Sequence, residues 1–381
     1  MDMLAAKLYG KNDLRVERAP IPALGRGDLL LRVKAAAVCG TDLRMLLNGA
    51  AGVDASHPLI CAHEFAGVVE AIGDGEKPCD GENPRGGDNP HGGENPHGGE
   101  NPRGGENPPG CEYAEWARVA VAPNIGCGVC DRCTAGNSHH CRDFRALGVH
   151  IDGGFAEFVR VPAEAVRLGN VVMLAPHVSF EAAAANEALS CVYNAYERYR
   201  VEPGDVVVII GAGAIGLMHA KLAKLSGAAK IIMSDLSEDR LKLCAELEPS
   251  IITVSRGLKQ AVEDITAGEG AQVVITACSS AAAQRDAFEY AALDGRVNFF
   301  GGLPKGSENV QLDTNLIHYK QLHVTGTTRA SHAHYRKTLG MITDGLFDLD
   351  SLVTHRFPLE DIGTAFENTK NTTGLKQAVV F

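Results

Sequence analysis

The chain has 381 residues, of which 45% are hydrophobic and 22% are charged, and this ordinary globular composition excludes a fibrous or wholly disordered protein. Its net charge of -11 argues against binding to a nucleic acid backbone or to an anionic membrane surface. The composition therefore favours chemistry on small molecules, and the length allows roughly two or three domains.

The N-terminal segment MDMLAAKLYGKNDLRVERAP has no long apolar stretch behind basic residues. No later segment reaches the about 18 consecutive apolar residues of a membrane span. We therefore expect a cytoplasmic protein without a membrane partner. Eleven cysteines are too few for a disulfide scaffold, and in a reducing compartment clustered cysteines indicate metal binding or catalysis.

Residues 1 to about 180 are strand-like and punctuated by Gly and Pro, which predicts a mostly β domain. The runs DLLLRVKAAAVCG and GGFAEFVRVPAEAV are typical of this region. Alternating apolar residues predict two further strands, EFAGVVEAIG at 64–73 and EWARVAVAP at 115–123.

Between these two strands, residues 81–110 consist of five polar hexads, GENPRG, GDNPHG, GENPHG, GENPRG and GENPPG. The hexads have no apolar residue to bury, so they predict a disordered loop rather than a solenoid. Its histidines, His91 and His97, are interpreted as solvated spacer residues rather than metal ligands. Cys79 and Cys111 flank the hexads, and a crosslink between them would require oxidising conditions.

Near residue 181 the pattern becomes helical, in EAAAANEALSCVYNAYERY, and VVVIIGAGAIG, LMHAKLAKLSGA and KIIMSDL follow. Strand, glycine turn, helix and strand make a βαβ unit. The apolar runs AQVVITAC (271–278) and GRVNFFGG (295–302) predict further buried strands of a doubly wound parallel sheet. After about residue 330, we expect MITDGLFDL to be helical and QAVVF to return to the first domain.

The glycine turn carries a dinucleotide-binding fingerprint, GAGAIG, directly after the apolar run VVVII. Its glycines permit a tight turn, a close approach of a pyrophosphate and close packing of the helix. The alternative is a glycine turn in a sheet that binds no nucleotide. The residues expected to bind the cofactor in this turn are Gly211, Gly213, Ala214, Ile215 and Gly216.

Asp235 ends the next predicted strand, 24 positions after Gly211. A carboxylate there accepts hydrogen bonds from both ribose hydroxyls and repels a 2′-phosphate, so the sequence favours NAD over NADP. Arg240 is a further candidate for cofactor contact because an arginine can bind a 2′-phosphate. Its position five residues after Asp235 also fits the surface of the following helix.

Four cysteines occur close together in CGVCDRCTAGNSHHC. Four thiolates at this spacing can surround zinc as a tetrahedron and leave no position for a substrate, which predicts a structural site. An iron-sulfur cluster also uses four cysteines, but no electron partner is evident. Exposed thiols this close together without a metal would oxidise. The predicted ligands are Cys127, Cys130, Cys133 and Cys141.

A second set of candidate ligands is sparser. Cys39 lies in VCGTD, and His63 and Glu64 lie in CAHEFAG. Thiolate, imidazole and carboxylate are all zinc ligands, and three protein ligands leave a position for a reacting oxygen. Seen singly, a buried histidine or an apolar cysteine is more common than a metal site.

Taken together, these motifs resemble, in order and spacing, the zinc-dependent medium-chain alcohol and polyol dehydrogenases, most closely the sorbitol or L-iditol type. The resemblance covers nearly the whole chain except 74–118. It implies an α/β protein with a GroES-like β catalytic domain at 1–186, which includes a zinc lobe at 127–141. A Rossmann domain with a doubly wound parallel sheet is expected at 187–330, and a segment returning to the catalytic domain at 331–381.

The resemblance also implies roles at the catalytic zinc. Cys39, His63 and Glu64 match the zinc ligands of the polyol branch, and Glu187 in NEALS either binds zinc or holds a zinc-bound water. Zinc with one thiolate and one carboxylate is neutral, whereas a second carboxylate gives -1, which favours the water arrangement. Cys191 is interpreted as a packed helical cysteine, with a substitute ligand as the alternative.

Neighbouring positions match the proton relay of that family. Thr41 resembles its hydroxyl relay, and Asp42 resembles the carboxylate that orients the ligand histidine. Arg44 stands where many relatives have a relay histidine. The residues that would carry the proton from Thr41 to solvent are therefore not assigned. Ala62 replaces the usual glycine before His63.

The implied reaction is oxidation of a secondary alcohol of a polyol to a ketone, with zinc binding the hydroxyl oxygen, Thr41 accepting the proton and NAD accepting hydride. The family implies two zinc ions per chain and a homodimer or homotetramer. An L-threonine or aminocyclitol dehydrogenase shares these ligands and is the close alternative. A non-catalytic protein that binds NAD and zinc is the alternative of another class, which the intact Cys39, His63, Glu64 and Thr41 argue against.

Overall fold

The structure of the protein is a computed structural model that describes residues 1–73 and 113–381. The predicted hexad loop at 81–110, with Cys79 and Cys111, lies outside the described residues. Strands of the described N-terminal part pair mainly antiparallel, and later strands form a parallel sheet between helices. This arrangement confirms the expected fold class, a β domain combined with a doubly wound α/β domain.

The N-terminal part forms short strands joined by turns and short helices, as its alternating apolar residues predict. The predicted strands at 64–73 and 115–123 are confirmed, although the second begins only at Arg118, because the backbone of Trp116 turns with φ of +70°. The strands are β1 (Asp2–Gly10), β2 (Asp13–Pro20), β3 (Leu29–Ala37), β4 (Leu59–Ile60), β5 (Glu64–Ile72), β6 (Arg118–Val121), β7 (Asn124–Ile125), β8 (Arg145–Ala146), β9 (Phe158–Val161) and β10 (Val171–Met173). The helices are α1 (Gly40–Asn48), α2 (Asp131–Thr134) and α3 (Ala163–Arg167), with a 3₁₀ turn at Ser138–His140.

The predicted long helix and βαβ units form the middle of the chain. The Ser179 hydroxyl caps the long helix by accepting a hydrogen bond of 2.9 Å from the Ala182 backbone N–H. The helices are α4 (Phe180–Tyr199), α5 (Ala214–Leu225), α6 (Glu238–Leu247), α7 (Leu258–Thr266), α8 (Ala281–Tyr290) and α9 (Thr314–Tyr319). The strands are β11 (Val206–Ile210), β12 (Lys230–Ser234), β13 (Ile251–Val254), β14 (Ala271–Thr276), β15 (Ala291–Phe299) and β16 (His323–Gly326), ordered β13-β12-β11-β14-β15-β16 and parallel throughout.

The C-terminal part returns to the first sheet. It contains α10 (His332–Thr343), β17 (Val353–Phe357), α11 (Ile362–Lys370) and β18 (Lys376–Val380), with 3₁₀ turns at Asp350–Leu352 and Leu359–Asp361. Strand β18 pairs with β3, so QAVVF joins the sheet ordered β10-β6-β5-β3-β18-β17, in which β9 also pairs with β3. The helical prediction for MITDGLFDL is wrong beyond Thr343, because Gly345 has φ of +68° and the chain turns there.

Strand register brings the later site residues to one end of this sheet. Ala37, the last residue of β3, lies opposite Glu64 of β5 on one side and opposite Ala378 of β18 on the other. Helix α4 packs on β3 and β5 and belongs to a core that continues into the parallel sheet. Among residues 1–73 and 113–381, no helix has the length and apolar character needed to span a bilayer.

Candidate functional site

Cys39, His63 and Glu64 meet at the end of strands β3 and β5. Each offers one ligand atom, and the three atoms lie within 4.8 Å of one another. His63 is 7% exposed and Glu64 is fully buried, whereas Cys39 is half-buried. The antiparallel register explains the meeting, because Cys39 leaves β3 just where Glu64 begins β5.

Asp42, which is fully buried in α1, ties the two ligand segments together. Its carboxylate accepts hydrogen bonds from the backbone N–H of Cys39 at 2.8 Å and from that of Ala62 at 3.3 Å. The same carboxylate lies 3.8 Å from Nδ1 of His63. Burial raises the pKa of Asp42, against the opposing effect of the neighbouring imidazole. The predicted orienting carboxylate therefore acts on the backbone of both segments as well as facing the ring.

Ala62 reaches its place before His63 only with a left-handed backbone, at φ of +72°. Its carbonyl accepts a hydrogen bond from the N–H of Gly154 at 2.9 Å. A Cβ atom on Gly153 would lie 2.2 Å from that carbonyl oxygen, so the glycine turn packs directly against the peptide. The left-handed conformation explains why a glycine would suit this position.

Glu187 of α4 approaches the cluster from the other side. Its Oε2 lies 3.9 Å from Nε2 of His63, and its side chain is buried. Burial raises the pKa of Glu187, and the nearby imidazole partly offsets the rise. One helical turn later, the thiol of Cys191 donates a hydrogen bond of 3.4 Å to Oε1 of Glu187. Cys191 therefore faces the site and contacts its carboxylate.

Lys376, the first residue of β18, is a member of this site that the sequence analysis missed. Its ammonium donates hydrogen bonds to both carboxylate oxygens of Glu64, at 2.6 Å to Oε1 and at a short distance to Oε2. Lys376 is only 5% exposed. Burial lowers its pKa, but the charges of Glu64 and Cys39 outweigh burial and raise it overall. The available signal was a lysine at the start of the closing strand, beside the apolar run AVV.

The donor set fits a zinc ion. Sulfur, imidazole nitrogen and carboxylate oxygen are the ligand atoms that zinc prefers, and here they converge within binding range of one another. Nδ1 of His63 is buried and has no hydrogen-bond partner among the described residues, whereas Nε2 faces Glu187. The donor atoms of the cluster can therefore hold one ion.

Thr41 and Arg44 lie in α1, the helix whose N-cap is Cys39. Arg44 Nη2 donates a hydrogen bond of 2.9 Å to the Thr41 hydroxyl oxygen. The guanidinium has no acceptor atom, so the hydrogen of the Thr41 hydroxyl must be donated elsewhere. Arg44 can orient Thr41 but cannot act as a base in the way that a relay histidine can.

The four-cysteine lobe is a separate cluster. One Sγ atom from each cysteine lies within 4.8 Å of the others. The thiol of Cys141 accepts a hydrogen bond of 3.3 Å from the Cys127 backbone N–H, and that of Cys127 accepts one of 3.4 Å from Cys130. Hydrogen bonds from the backbone of Val129 and Cys130 lower the pKa of Cys127 to about 7, whereas burial raises the pKa of Cys133 to about 12. The uniform thiol set fits a closed tetrahedral zinc.

The glycine turn lies between β11 and α5. Gly211 has φ of +122°, and a Cβ on Gly216 would lie 1.8 Å from the Gly211 carbonyl oxygen, so both positions require glycine. Gly213 precedes the first residues of α5, Ala214 and Ile215, and a Cβ there would meet only the Arg240 guanidinium, 3.6 Å away. The turn therefore leaves room for a pyrophosphate at a helix N-terminus.

Asp235 and Arg240 border the same turn. The Asp235 carboxylate accepts hydrogen bonds from the backbone N–H groups of Ala212 at 2.7 Å and Ser237 at 2.9 Å. Arg240 reaches over Gly213, and its Nε donates to the Thr372 carbonyl at 3.1 Å. The arginine thus lies at the turn rather than on the outer surface of α6.

Two family models and several known proteins are similar to this chain. The family model of the zinc-binding dehydrogenases matches residues 214–344, and that of the alcohol dehydrogenase GroES-like domain matches 25–83 and 109–170. An L-threonine 3-dehydrogenase of Chelativorans sp. (strain BNC1) is 30% identical over 372 residues, covering 96% of this chain and 95% of that protein. A sorbitol dehydrogenase of Bombyx mori is 28% identical over 379 residues, covering 98% of this chain and 97% of that protein.

A solved structure of another protein has the same fold. A zinc-binding dehydrogenase of Sinorhizobium meliloti 1021, bound to NADP, has a TM-score of 0.82 and 27% sequence identity, with 100% of each chain covered. The likeness therefore extends over both the β part and the parallel sheet.

Proposed function

The chain belongs to the zinc-binding alcohol dehydrogenase family, whose members are oxidoreductases, and from that premise we propose that it oxidises a secondary alcohol of a polyol to a ketone, with NAD as hydride acceptor. The observation that carries the proposal is the buried cluster of Cys39 and His63 with two carboxylates, Glu64 and Glu187. A mixed set with few protein ligands suits a catalytic metal, whereas the four thiols of the lobe suit a structural one. The protein then holds two zinc ions.

A zinc ion held by the cluster supplies a Lewis acid that lowers the pKa of an alcohol. Thr41 Oγ1 receives the proton of the alcohol and passes its own hydrogen onward. Arg44 holds that hydroxyl in place through its 2.9 Å hydrogen bond. Because Arg44 cannot accept a proton, the proton leaves Thr41 to water.

The choice of NAD over NADP rests on Asp235. Its carboxylate stands at the glycine turn, where it can accept hydrogen bonds from ribose hydroxyls and repel a 2′-phosphate. Arg240 beside Gly213 is the opposing feature, and the Sinorhizobium relative binds NADP. We expect kcat/KM to be at least about tenfold higher with NAD. A preference for NADP would show that Arg240 outweighs Asp235.

The substrate test is a panel of sorbitol, L-iditol, L-threonine and aminocyclitols, with reduction of the nicotinamide followed by absorbance. We expect turnover with the sugar alcohols. L-Threonine oxidation is the second candidate, because an L-threonine 3-dehydrogenase is 30% identical over nearly the whole chain. Absence of turnover with every alcohol, in protein that contains two zinc ions, would support the non-catalytic alternative.

Domain limits and assembly are part of the same proposal. We propose a catalytic domain at 1–186, a cofactor domain at 187–330 and a returning segment at 331–381, and a homodimer or homotetramer in solution. Light scattering coupled to size-exclusion chromatography measures the assembly, and a monomer would contradict it.

A further inference from the structure

The cysteine lobe exposes sulfur atoms that lie beside one another. Its four Sγ atoms lie within 4.8 Å of one another, and the thiol of Cys130 donates a hydrogen bond of 3.9 Å to Sγ of Cys141. Cys127, Cys130 and Cys133 are partly exposed, whereas Cys141 is 7% exposed. An oxidant in solution can therefore reach one of these sulfurs while a second sulfur lies next to it.

A disulfide between Cys130 and Cys141 requires little movement. A disulfide bond is about 2.05 Å long, so the two sulfurs would have to approach by roughly 2 Å. Cys130 precedes the short helix α2, and Cys141 follows the 3₁₀ turn Ser138–His140. Neither cysteine lies in a strand, so this approach disturbs no sheet.

Other cysteines of the described chain show why this combination matters. Cys61 and Cys244 are 1% and 0% exposed, so an oxidant in solution does not reach them. Cys39 is half-buried, but the other members of its cluster are His63 and Glu64 rather than thiols. The lobe combines exposure with a neighbouring thiol, which is what a reversible oxidation site requires.

The turn Ser138–His140 connects the lobe to the parallel sheet. His139 is fully buried, and its carbonyl accepts a hydrogen bond of 3.3 Å from Nη1 of Arg329. The ring centroids of His139 and His334 of α10 are 5.7 Å apart. Arg329 follows β16, which ends at Gly326. Because cofactors bind at the carboxyl ends of parallel strands, a change in the lobe can reach the cofactor side of the sheet.

Side-chain hydrogen bonds do not hold this turn in place. The Ser138 hydroxyl oxygen and both ring nitrogens of His139 are buried and have no hydrogen-bond partner among the described residues. Buried polar atoms without partners favour release of their segment to water. The turn therefore depends on packing, on backbone hydrogen bonds and on the metal ligation of Cys133 and Cys141 at either side of it. Loss of the metal should release it.

Resting on the structural zinc of the proposed function, we propose that the lobe is a reversible oxidation site. A peroxide joins Cys130 to Cys141, zinc is released, and the turn Ser138–His140 loses its contact with Arg329. The site would respond to hydrogen peroxide or to an organic hydroperoxide, and a thiol or phosphine reductant with zinc would restore it.

The reaction balances with one peroxide. When zinc is bound, the four sulfurs are thiolates. The Cys130 thiolate attacks one peroxide oxygen, the O–O bond breaks, and a sulfenic acid forms as hydroxide leaves. The Cys141 thiolate then attacks the sulfenic sulfur, the S–S bond forms and a second hydroxide leaves, so two sulfurs lose the two electrons that the peroxide gains. Only Cys127 and Cys133 remain as thiolates, which are too few ligands for a closed tetrahedral zinc.

The first test measures zinc release from the full-length chain with Cys79→Ser and Cys111→Ser, which removes two thiols outside the lobe. A second protein also carries Cys39→Ser, so that the lobe holds its only zinc. Hydrogen peroxide is added, and released zinc is measured by absorbance with 4-(2-pyridylazo)resorcinol, against the same protein without peroxide. We expect the second protein to release one zinc per chain and to regain it after reduction in the presence of zinc. Lobe zinc that stays bound would overturn the proposal.

The second test identifies the sulfurs that are joined. Trypsin cuts after Arg132 and Arg142, so Cys130 and Cys141 fall on different peptides. Mass spectrometry of the unreduced digest, with fragmentation of linked peptides, locates the bond. We expect Cys130 bonded to Cys141, and the control Cys244→Ala should give the same result. A bond between another pair, or a sulfinic acid at Cys130 without a disulfide, would contradict the proposal.

The third test follows the turn by hydrogen–deuterium exchange. In the oxidised protein, the backbone amides of 138–140 and 328–331 should exchange at least about tenfold faster, because the lobe no longer holds these segments. Helix α7 is the internal control and should keep its exchange rate. Unchanged exchange at 328–331 after disulfide formation would overturn the connection between the lobe and the end of β16.

Zinc content before oxidation separates this inference from the proposed function. If the Cys39→Ser protein contains no zinc as purified, both the structural zinc and this inference fail. If it contains one zinc that peroxide does not release, this inference alone fails.

Discussion

The two metal-ligand clusters of this protein are built in opposite ways. The cysteine lobe takes four identical thiols from residues 127–141, three of which remain partly exposed. The open cluster collects a thiol from the N-cap of α1, an imidazole and a carboxylate from the start of β5, and a carboxylate from α4. Its pair of Glu64 and Lys376, the first residue of β18, joins residues 312 positions apart. We propose that the local cluster of one ligand type holds a closed, structural zinc. The distributed cluster is mostly buried and mixed, and it must balance its charges.

The largest expected effect that separates the clusters is on turnover. Cys39→Ser should lower kcat/KM by more than about 10³-fold, because loss of a metal that stabilises developing charge by several kcal/mol is a loss of that size. The circular dichroism spectrum should stay native, since the overall fold does not depend on this thiol. Cys244→Ala, which removes a buried thiol in neither cluster, should retain turnover. Activity that survives in Cys39→Ser would mean that the catalytic assignment is wrong.

A substitution in the cysteine lobe should lower the stability of the protein rather than abolish turnover. We expect Cys130→Ser to lower the melting temperature by roughly 5 °C or more, because the binding free energy of a structural zinc is part of the folding free energy. Differential scanning fluorimetry with and without a chelator measures the effect, and the chelator should add little in the variant. An unchanged melting temperature would count against a structural zinc.

A buried histidine that belongs to neither cluster offers a comparison with His63. His219 in α5 is fully buried, contacts the Tyr199 hydroxyl at 2.9 Å through Nδ1, and has its pKa lowered by burial to about 3, from the usual 6.5. Because the unfolded chain binds this proton near pH 6.5 and the folded chain does not, folding stability falls as pH drops below 6.5. At pH 5 the loss is about 2 kcal/mol.

His219→Gln keeps a polar partner for Tyr199 but cannot titrate. Its melting temperature, followed from pH 7 to pH 5, should fall less steeply than that of the wild type. His57→Gln, which removes an exposed histidine, should retain the wild-type slope. Equal slopes in wild type and His219→Gln would show that the buried imidazole is not responsible.

The smallest expected effect concerns the backbone that supports the open cluster. Ala62→Gly should raise stability by about 0.5–1 kcal/mol, because Ala62 has φ of +72° and glycine adopts that conformation without strain. Ala66→Gly, in the extended strand β5, is the matched control and should lower stability instead. Chemical denaturation measures the free energy of unfolding of both variants. A lower free energy of unfolding in Ala62→Gly would contradict backbone strain at Ala62.

The same contrast explains how much the sequence could predict. Local patterns can be recognised in a sequence. Here they are the glycine turn, helix α4, strands β11, β12 and β14, and the close spacing of the lobe cysteines. The helical prediction at MITDGLFDL missed the true span of α10, which begins at His332 after the Ser331 cap and ends before Gly345. Its apolar spacing continues past the turn, so periodicity alone could not show where the helix ends.

Long-range partners could not be predicted in this way. Lys376 meets Glu64 only because β18 returns beside β3, and no spacing rule connects residues so far apart. From the sequence, Arg240 is a candidate for cofactor contact that also fits a helix surface, and spacing cannot choose between the two. Its guanidinium reaches Gly213 because α6 begins directly beyond the end of β12. The sequence favours a packed helical cysteine at Cys191, and only the contact with Glu187 one helical turn away gives Cys191 a place at the site.

We expect a metal centre at Cys39 and His63 that is distinct from the cysteine lobe. The most direct measurement is zinc per chain, by plasma mass spectrometry, in wild-type protein and in Cys39→Ser purified side by side. We expect two zinc ions in the wild type and one in Cys39→Ser, with the remaining ion held by the lobe. Equal zinc content in the two proteins would contradict the account.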